Sequence, residues 1–115
     1  MTPSKENIRQ ILHNLKIEEL NAMQQALSNP ELIKKDIILL SPTGSGKTLG
    51  FLLPLLNTLV NDKAEIQAMI LAPSRELALQ IESVFKSMKT IYKAYCCYGG
   101  NSFQEEKKSL LQNIT

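Results

Sequence analysis

Residues 37–48 read Ile-Ile-Leu-Leu-Ser-Pro-Thr-Gly-Ser-Gly-Lys-Thr, and this stretch decides the predicted fold. Its first four residues are a continuous apolar run that begins with two β-branched side chains, as is typical of a parallel strand covered on both faces. Gly44 and Gly46 interrupt the run, and an apolar helix is predicted from about Lys47 to Asn61. A buried strand that passes through a glycine-rich turn into a helix is the first half of a parallel βαβ unit.

The same alternation continues along the chain. Apolar runs predict two further strands, over 66–72 and 91–98, and helical periodicity predicts helices over 77–88 and 103–114. Two more amphipathic helices, over 4–15 and 18–28, precede the first strand. We therefore predict a helical segment over 1–35, followed over 36–115 by an α/β domain of order βαβαβα.

Such an order favours an open parallel sheet with right-handed crossovers and helices on both faces. In sheets of this kind ligands bind outside the carboxyl ends of the strands. The chemistry is therefore expected in three loops, which are residues 41–48, 73–75 and 99–101.

Composition is that of an ordinary globular chain, with 115 residues, 43% hydrophobic and 21% charged. A net charge of +2 is too small to indicate a nucleic-acid partner by itself. The two cysteines, Cys96 and Cys97, are adjacent, which excludes a zinc framework and favours reduced thiols in a buried strand. The most apolar stretch, 49–60, is too short to span a membrane, and the N-terminus lacks a signal-peptide pattern. We therefore expect a cytoplasmic location and no membrane partner.

Residues 41–48, called the phosphate loop below, have the composition of a polyphosphate site. Gly44 and Gly46 let the backbone approach a ligand closely, so that the N–H groups of this loop converge on phosphate. Lys47 supplies a positive charge to the β- and γ-phosphates, and the Thr48 hydroxyl is a ligand for Mg²⁺. Ser41 stands where the general pattern has glycine, which argues against small nucleotide kinases and GTPases. The residues expected to bind nucleotide here are Thr43, Gly44, Ser45, Gly46, Lys47 and Thr48.

Four motifs in this order resemble the first RecA-like domain of DEAD-box RNA helicases. Gln24 stands 23 residues before Lys47, where the Q motif of that family has its glutamine, and the phosphate loop resembles its motif I. Residues 73–78, Pro-Ser-Arg-Glu-Leu-Ala, are similar to its P-T-R-E-L-A motif, and Gly99-Gly100 resembles its glycine pair. The resemblance implies a P-loop NTPase fold of the RecA-like type, a three-layer α/β/α arrangement with a parallel sheet, here truncated.

ATP and Mg²⁺ are the cofactors that this resemblance implies. Gln24 would pair with N6 and N7 of adenine and so select ATP over GTP. Ile17 occupies a position where the family often has an aromatic residue near the base. Leu20-Asn21 replaces the family's usual Pro-Thr or Pro-Ser pair. From the residues alone, Gln24 or its neighbour Gln25 also fits an exposed helix position.

RNA is the macromolecular partner that the resemblance implies. Pro73, Ser74 and Arg75, together with Gly99 and Gly100, would contact the sugar-phosphate backbone without reading base sequence. Taken alone, Arg75 also fits a solvated position, and the glycine pair also fits a turn at the end of a strand.

The D-E-A-D sequence of the family is absent, and no aspartate follows Asp62. ATP hydrolysis needs a second carboxylate to hold Mg²⁺ and a group to orient water. We therefore expect the parent protein to be an ATP-dependent RNA helicase with Lys47 and Thr48 among its catalytic residues. The chain itself is expected to be an inactive ATP-binding fragment whose partner is the remainder of the helicase core. A DNA helicase of the same superfamily and a non-catalytic nucleotide-binding module are the alternatives.

Overall fold

The computed structural model describes residues 5–60 and 65–97, and these fall into two compact units that divide between Leu59 and Val60. The described residues of the first unit form three α-helices, α1 (Lys5–Asn14), α2 (Ala22–Leu27) and α3 (Lys47–Leu56), and a 3₁₀ turn at Leu32–Lys34. The second unit contains one described helix, α4 (Arg75–Ser87). The sequence predicts each of these four α-helices.

Helix α1 follows the apolar stripe that predicts it and ends in a Schellman motif. Lys16 has a left-handed backbone, with a φ of 58°. Its N–H donates to the carbonyl of His13, and the N–H of Ile17 donates to the carbonyl of Leu12. These two bonds satisfy carbonyls that the last helical turn leaves open, so the chain leaves the helix at a defined angle.

Helix α2 begins at Ala22, four residues after the predicted start, because Asn21 caps it. The Asn21 side chain accepts a hydrogen bond from the backbone N–H of Gln24, and the Gln24 side chain accepts one from the backbone N–H of Asn21. This reciprocal pair is a capping box, which satisfies two otherwise open N–H groups.

Helix α3 packs against α2 to form the core of the first unit. Leu52 is fully buried, and the other buried apolar side chains of this unit include Ile11, Leu27, Leu49, Leu53, Leu56 and Leu59. Gly50 lies at the α2 contact, where an added Cβ would come 2.9 Å from the sulfur of Met23 and 3.1 Å from a methyl of Leu27. The helices therefore approach closely at Gly50.

Helix α3 ends at Leu56, earlier than the predicted Asn61. Pro54 has no N–H to donate to the preceding turn, which weakens the helix near this point. The N–H groups of Asn57 and Thr58 donate to the carbonyls of Pro54 and Leu55, three residues back, so the final turn tightens.

The predicted parallel sheet is not formed in residues 5–60 and 65–97. Residues 37–40, 66–72 and 91–97 lack strand pairing, so the predicted strands are not confirmed in the described residues. Ile38 and Leu40 are each 90% exposed, so the first apolar run is not buried either. A helix makes its hydrogen bonds within one segment, whereas a parallel strand depends on partners far away in the sequence. The helices therefore form from local hydrogen bonds, whereas the described residues provide no paired partner for the predicted strands.

In the second unit, Phe85 and Met88 are the buried apolar side chains of the described residues. The side-chain amide of Gln67 accepts from the N–H of Val60 at 2.6 Å and donates to its carbonyl at 2.9 Å. Cys96 is half-buried and Cys97 is exposed, so neither lies in the buried strand that the sequence predicts for them. The predicted helix over 103–114 lies outside the described residues.

Candidate functional site

The phosphate loop turns sharply at its two glycines. Gly44 has a φ of 83° and Gly46 a φ of 86°, both in the left-handed region that L-residues with a side chain rarely adopt. Gly46 is also the N-cap residue of α3. The sequence analysis expects Gly44 and Gly46 to permit a backbone conformation that brings the chain close to a ligand. Both adopt a left-handed conformation, which glycine tolerates without a steric penalty.

The N-terminus of α3 is the electropositive end of the loop. No side chain among the described residues caps this terminus, and the first turn contains no acidic residue. The open N–H groups and the helix dipole both favour an anion at this position. A ten-residue helix that begins at a glycine-rich turn is therefore suited to bind phosphate.

Lys47 is the first residue of α3 and is half-buried. Its ammonium group donates a hydrogen bond of 2.7 Å to the backbone carbonyl of Ser41, at the other end of the loop. The Ser41 and Ser45 hydroxyls are also hydrogen-bonded to each other. These bonds close the loop on itself, while the ammonium group, which has three hydrogens, keeps donors for an anion.

Thr43 and Thr48 have different surroundings. Thr43 is exposed at the tip of the loop, beside the exposed Gly44. Thr48 is half-buried in the first turn of α3. A hydroxyl on the first turn is an oxygen ligand of the kind that Mg²⁺ accepts, with the other ligands supplied by phosphate oxygens and water.

Gln24 lies against the phosphate loop although Gly46 is 22 positions further along the chain. Its side chain is only 6% exposed, and Nε2 donates a hydrogen bond of 3.1 Å to the Gly46 carbonyl. Oε1 accepts from the N–H of Asn21 at 2.9 Å. Each amide atom uses one of its two hydrogen-bonding capacities in this way. One donor and one acceptor remain, which is the pair that an adenine edge would require.

Asn21 also reaches the phosphate loop, and the sequence analysis does not predict this. Its Nδ2 donates a hydrogen bond of 2.9 Å to the carbonyl of Ser45. The signal that points to it is the spacing Asn-x-x-Gln, which is typical of a capping box at a helix start. That spacing predicts the cap on α2 and leaves the long-range contact with Ser45 unpredicted.

Ile17 lies between α1 and α2 and is half-buried. Its N–H completes the Schellman motif at the end of α1, through the 2.9 Å bond to Leu12. The structure therefore gives Ile17 a defined place in the first unit, and its predicted position near a base stays a prediction.

The second unit contains the other predicted site residues. Ser74 is the N-cap of α4, and its hydroxyl accepts from the N–H of Leu77 at 3.2 Å. Arg75 is the first residue of the helix, which starts two residues before the predicted 77, and Pro73, Ser74 and Arg75 are all exposed. Gly99 and Gly100 lie outside the described residues.

A groove of about 570 Å³ lies in the second unit, between α4 and the segment that follows it. Lys86, Lys89 and Lys93 line it together with Glu82 and Cys96. Partial burial raises the pKa of the Cys96 thiol, the negative charge of Glu82 raises it further, and Lys86 opposes this.

Residues 5–60 and 65–97 contain no cluster of three or more His, Cys, Asp or Glu side chains able to hold a metal ion. Among the helices of these residues, none has the length and apolar character needed to cross a membrane.

Comparison with known proteins matches residues 21–115 to the family described as DEAD/DEAH box helicase. The ATP-dependent rRNA helicase RRP3 of Eremothecium gossypii is 39% identical over 101 residues, which is 86% of this chain and 21% of that protein. The protein of the same name from Saccharomyces cerevisiae strain S288c is 37% identical over 105 residues, or 90% of this chain and 21% of its own.

A third relative is the pre-mRNA-processing ATP-dependent RNA helicase PRP5 of Candida albicans, 34% identical over 117 residues, which is 94% of this chain and 13% of that protein. The chain therefore spans about a fifth or less of the length of these curated relatives. No solved structure matches the chain.

Proposed function

The chain belongs to the DEAD/DEAH box helicase family, and from this membership we propose that it is the ATP-binding part of an ATP-dependent RNA helicase. The observation that carries this proposal is the phosphate loop, whose two left-handed glycines lead into the uncapped N-terminus of α3. The names of the relatives, which are ATP-dependent RNA helicases, support RNA as the nucleic acid.

In the proposed complex the N–H groups of residues 44–48 bind the phosphates of ATP. Lys47 would exchange its bond to the Ser41 carbonyl for contacts to the terminal phosphates, because an anion attracts the ammonium group more strongly than a neutral carbonyl does. The Thr48 hydroxyl would hold Mg²⁺, which neutralises charge on the phosphates when it is bound. Ser45 and Gly46 would keep the loop in its bent form.

Gln24 is proposed to read the adenine base with the donor and acceptor that its contacts to Gly46 and Asn21 leave over. Its low exposure supports a defined orientation of the amide, which is what base selection requires. Ile17, half-buried, is proposed to lie near the same base.

RNA is proposed to contact Pro73, Ser74 and Arg75 and the pair Gly99-Gly100. The exposure of the first three residues supports this, since a backbone contact requires accessible groups. The Arg75 guanidinium is exposed and would form charged hydrogen bonds with phosphate oxygens of the RNA backbone. Arg75→Ala should weaken RNA binding uniformly across sequences and reduce its salt dependence by about one charge. Arg9→Ala, an exposed arginine of α1, is the matched control and should change neither.

A RecA-like parallel sheet is proposed for the complete helicase core. Residues 37–40 and 66–72 are apolar and largely exposed in the described chain, as expected of strands that lack neighbours. Pairing with further segments of the core would bury these side chains and satisfy their backbone groups. We also propose that the core is cytoplasmic, as the sequence analysis predicts.

ATP binding is tested by calorimetric titration of the 115-residue chain with Mg-ATP. Binding is expected, with a loss of at least about tenfold in Lys47→Ala, because a charged hydrogen bond contributes about 1.5–3 kcal/mol. No binding by the unaltered chain, or equal binding by Lys47→Ala, would contradict the proposal.

The base assignment is tested by comparing ATP with GTP. Gln24→Ala should weaken ATP more than GTP, and Gln25→Ala, an exposed neighbour on α2, should change neither. Equal losses for the two nucleotides would remove Gln24 from the adenine site.

Hydrolysis is proposed to require residues that are absent from this sequence, which contains no D-E-A-D. The chain alone is therefore expected to bind ATP and to show no multiple turnover when RNA is added. If the unaltered chain released phosphate over several turnovers and Lys47→Ala released it only at the background rate, these 115 residues would suffice for catalysis.

A further inference from the structure

The N-terminus of α2 holds two consecutive carbonyls of the phosphate loop. Asn21 donates to the carbonyl of Ser45 at 2.9 Å, and Gln24 donates to the carbonyl of Gly46 at 3.1 Å. We call these two bonds the loop clamp. The same two side chains form the capping box of α2 through their oxygens, so each amide binds its own helix with one end and the phosphate loop with the other.

The loop clamp restrains the direction of the Gly46 N–H group. A trans peptide is planar, with its C=O and N–H pointing in opposite directions. Asn21 binds the Ser45 carbonyl, so the Gly46 N–H in the same peptide is turned away from Asn21. The Gly46 carbonyl also accepts from the Gly50 N–H at 3.0 Å, so α3 itself directs the Lys47 N–H. These two N–H groups are at the uncapped start of α3, where the phosphates are proposed to bind.

Asparagine suits this position because its donor and its acceptor are different atoms. Oδ1 accepts the capping bond from the Gln24 N–H at 2.9 Å while Nδ2 binds Ser45. A serine hydroxyl, one bond nearer the backbone, keeps the cap and lacks the amide group that reaches Ser45. The clamp and the cap can therefore be separated by substitution.

We infer that Asn21 is a positioning residue for ATP binding, which orients the phosphate-binding N–H group of Gly46 through the carbonyl of Ser45. This inference rests on the ATP-binding function proposed above. It assigns to Asn21 a role in phosphate binding and no contact with the nucleotide.

The test measures two properties of the 115-residue chain, its affinity for Mg-ATP and, without ligand, the residual dipolar couplings of the Gly46 and Lys47 N–H groups, which report the direction of each bond. Asn21→Ser should bind ATP about 3- to 10-fold more weakly, the effect of one hydrogen bond. Its ATP-to-GTP preference should stay unchanged, the Gly46 coupling should change, and the Lys47 coupling should not. Gln25→Ala, whose amide binds the Leu20 carbonyl instead of the loop, is the matched control and should resemble the unaltered chain.

Asn21→Asp provides a second variant that keeps the size and the capping oxygen and lacks the donor. It is read by the dipolar couplings alone, because its charge would repel ATP in any case, and a changed Gly46 coupling is again expected. An unaltered Gly46 coupling in both variants would overturn the inference, even if ATP binding fell. If the unaltered chain does not bind ATP, the proposed function fails, and the couplings still decide the role of Asn21 in orienting the loop.

Discussion

The side-chain amide of Gln24 donates a 3.1 Å hydrogen bond to the carbonyl of Gly46, which joins the first turn of α2 to the glycine that starts α3. An added Cβ on Gly46 would lie 2.5 Å from the Gln24 nitrogen. The glycine is therefore required twice, once for its left-handed backbone and once for the space that the amide occupies.

Gly46→Ala should lower the free energy of unfolding of the first unit by about 2–3 kcal/mol. The left-handed backbone costs an alanine roughly 1–2 kcal/mol, and the displaced amide loses a bond of about 1 kcal/mol. Gly44→Ala is the control, since an added Cβ there meets nothing within 4 Å and only the backbone cost of roughly 1–2 kcal/mol applies. Urea denaturation measures both, and equal losses would contradict the double role of Gly46.

Leu52→Ala should destabilise the first unit by about 2–5 kcal/mol, because Leu52 is fully buried and its loss leaves a cavity. Leu40→Ala, at a leucine that is 90% exposed, should change the free energy of unfolding by less than about 0.5 kcal/mol. Denaturation curves followed by circular dichroism give both values. A comparable loss in the two variants would contradict the described core.

Ser74→Ala should cost about 1 kcal/mol of stability in the second unit, because the hydroxyl of Ser74 caps α4 through Leu77. Ser87→Ala removes a hydroxyl at the other end of the helix, where it binds the Ser83 carbonyl, and should have little effect. Thermal unfolding monitored by circular dichroism compares the two. A larger loss in Ser87→Ala would show that capping at Ser74 is not what stabilises the helix.

The Cys96 thiol should react slowly with iodoacetamide near pH 8, because burial and the charge of Glu82 raise its pKa. The thiolate is the reactive form, so the rate should rise with pH and level off above the usual thiol range. In a Cys97→Ser background, Glu82→Gln should speed the reaction at fixed pH and Lys86→Gln should slow it. Changes in the same direction in both variants would exclude the electrostatic cause.

The raised pKa also makes stability depend on pH. The folded state binds the thiol proton more tightly than the unfolded state, so the thiol contributes stability below the unfolded pKa. This contribution is lost as the pH rises through the folded pKa. Denaturation in the Cys97→Ser background should therefore show a decline at alkaline pH that Cys96→Ala lacks.

The exposed apolar segment over 37–40 should cause the chain to self-associate. Ile38 and Leu40 are 90% exposed in a β-branched and aliphatic run without paired backbone groups, which is the pattern of an aggregation-prone edge. Ile38→Lys should shift sedimentation towards the monomer, whereas Lys35→Ser, at an exposed neighbour, should not. An unaltered distribution in Ile38→Lys would assign any association to another surface.

The sequence predicts the helices and the tight turn at the two glycines of the phosphate loop well, because both depend on residues that are close together in the sequence. The spacing of apolar residues places α1 and α4, and Ser74 stands directly before α4 as a capping residue should. The ends are less predictable: α2 starts at Ala22 because Asn21 caps it, and α3 ends near Pro54. The predicted strands are not confirmed in the described residues, because strand pairing depends on distant segments.

By itself the sequence determined the phosphate loop, the requirement for glycine at 44 and 46 and the family, because each depends on residue types at fixed short spacings. Only the tertiary structure decided that the amides of Asn21 and Gln24 bind the loop carbonyls of Ser45 and Gly46. No spacing predicts those bonds, since they arise where α2 packs against α3 and brings together residues more than 20 positions apart.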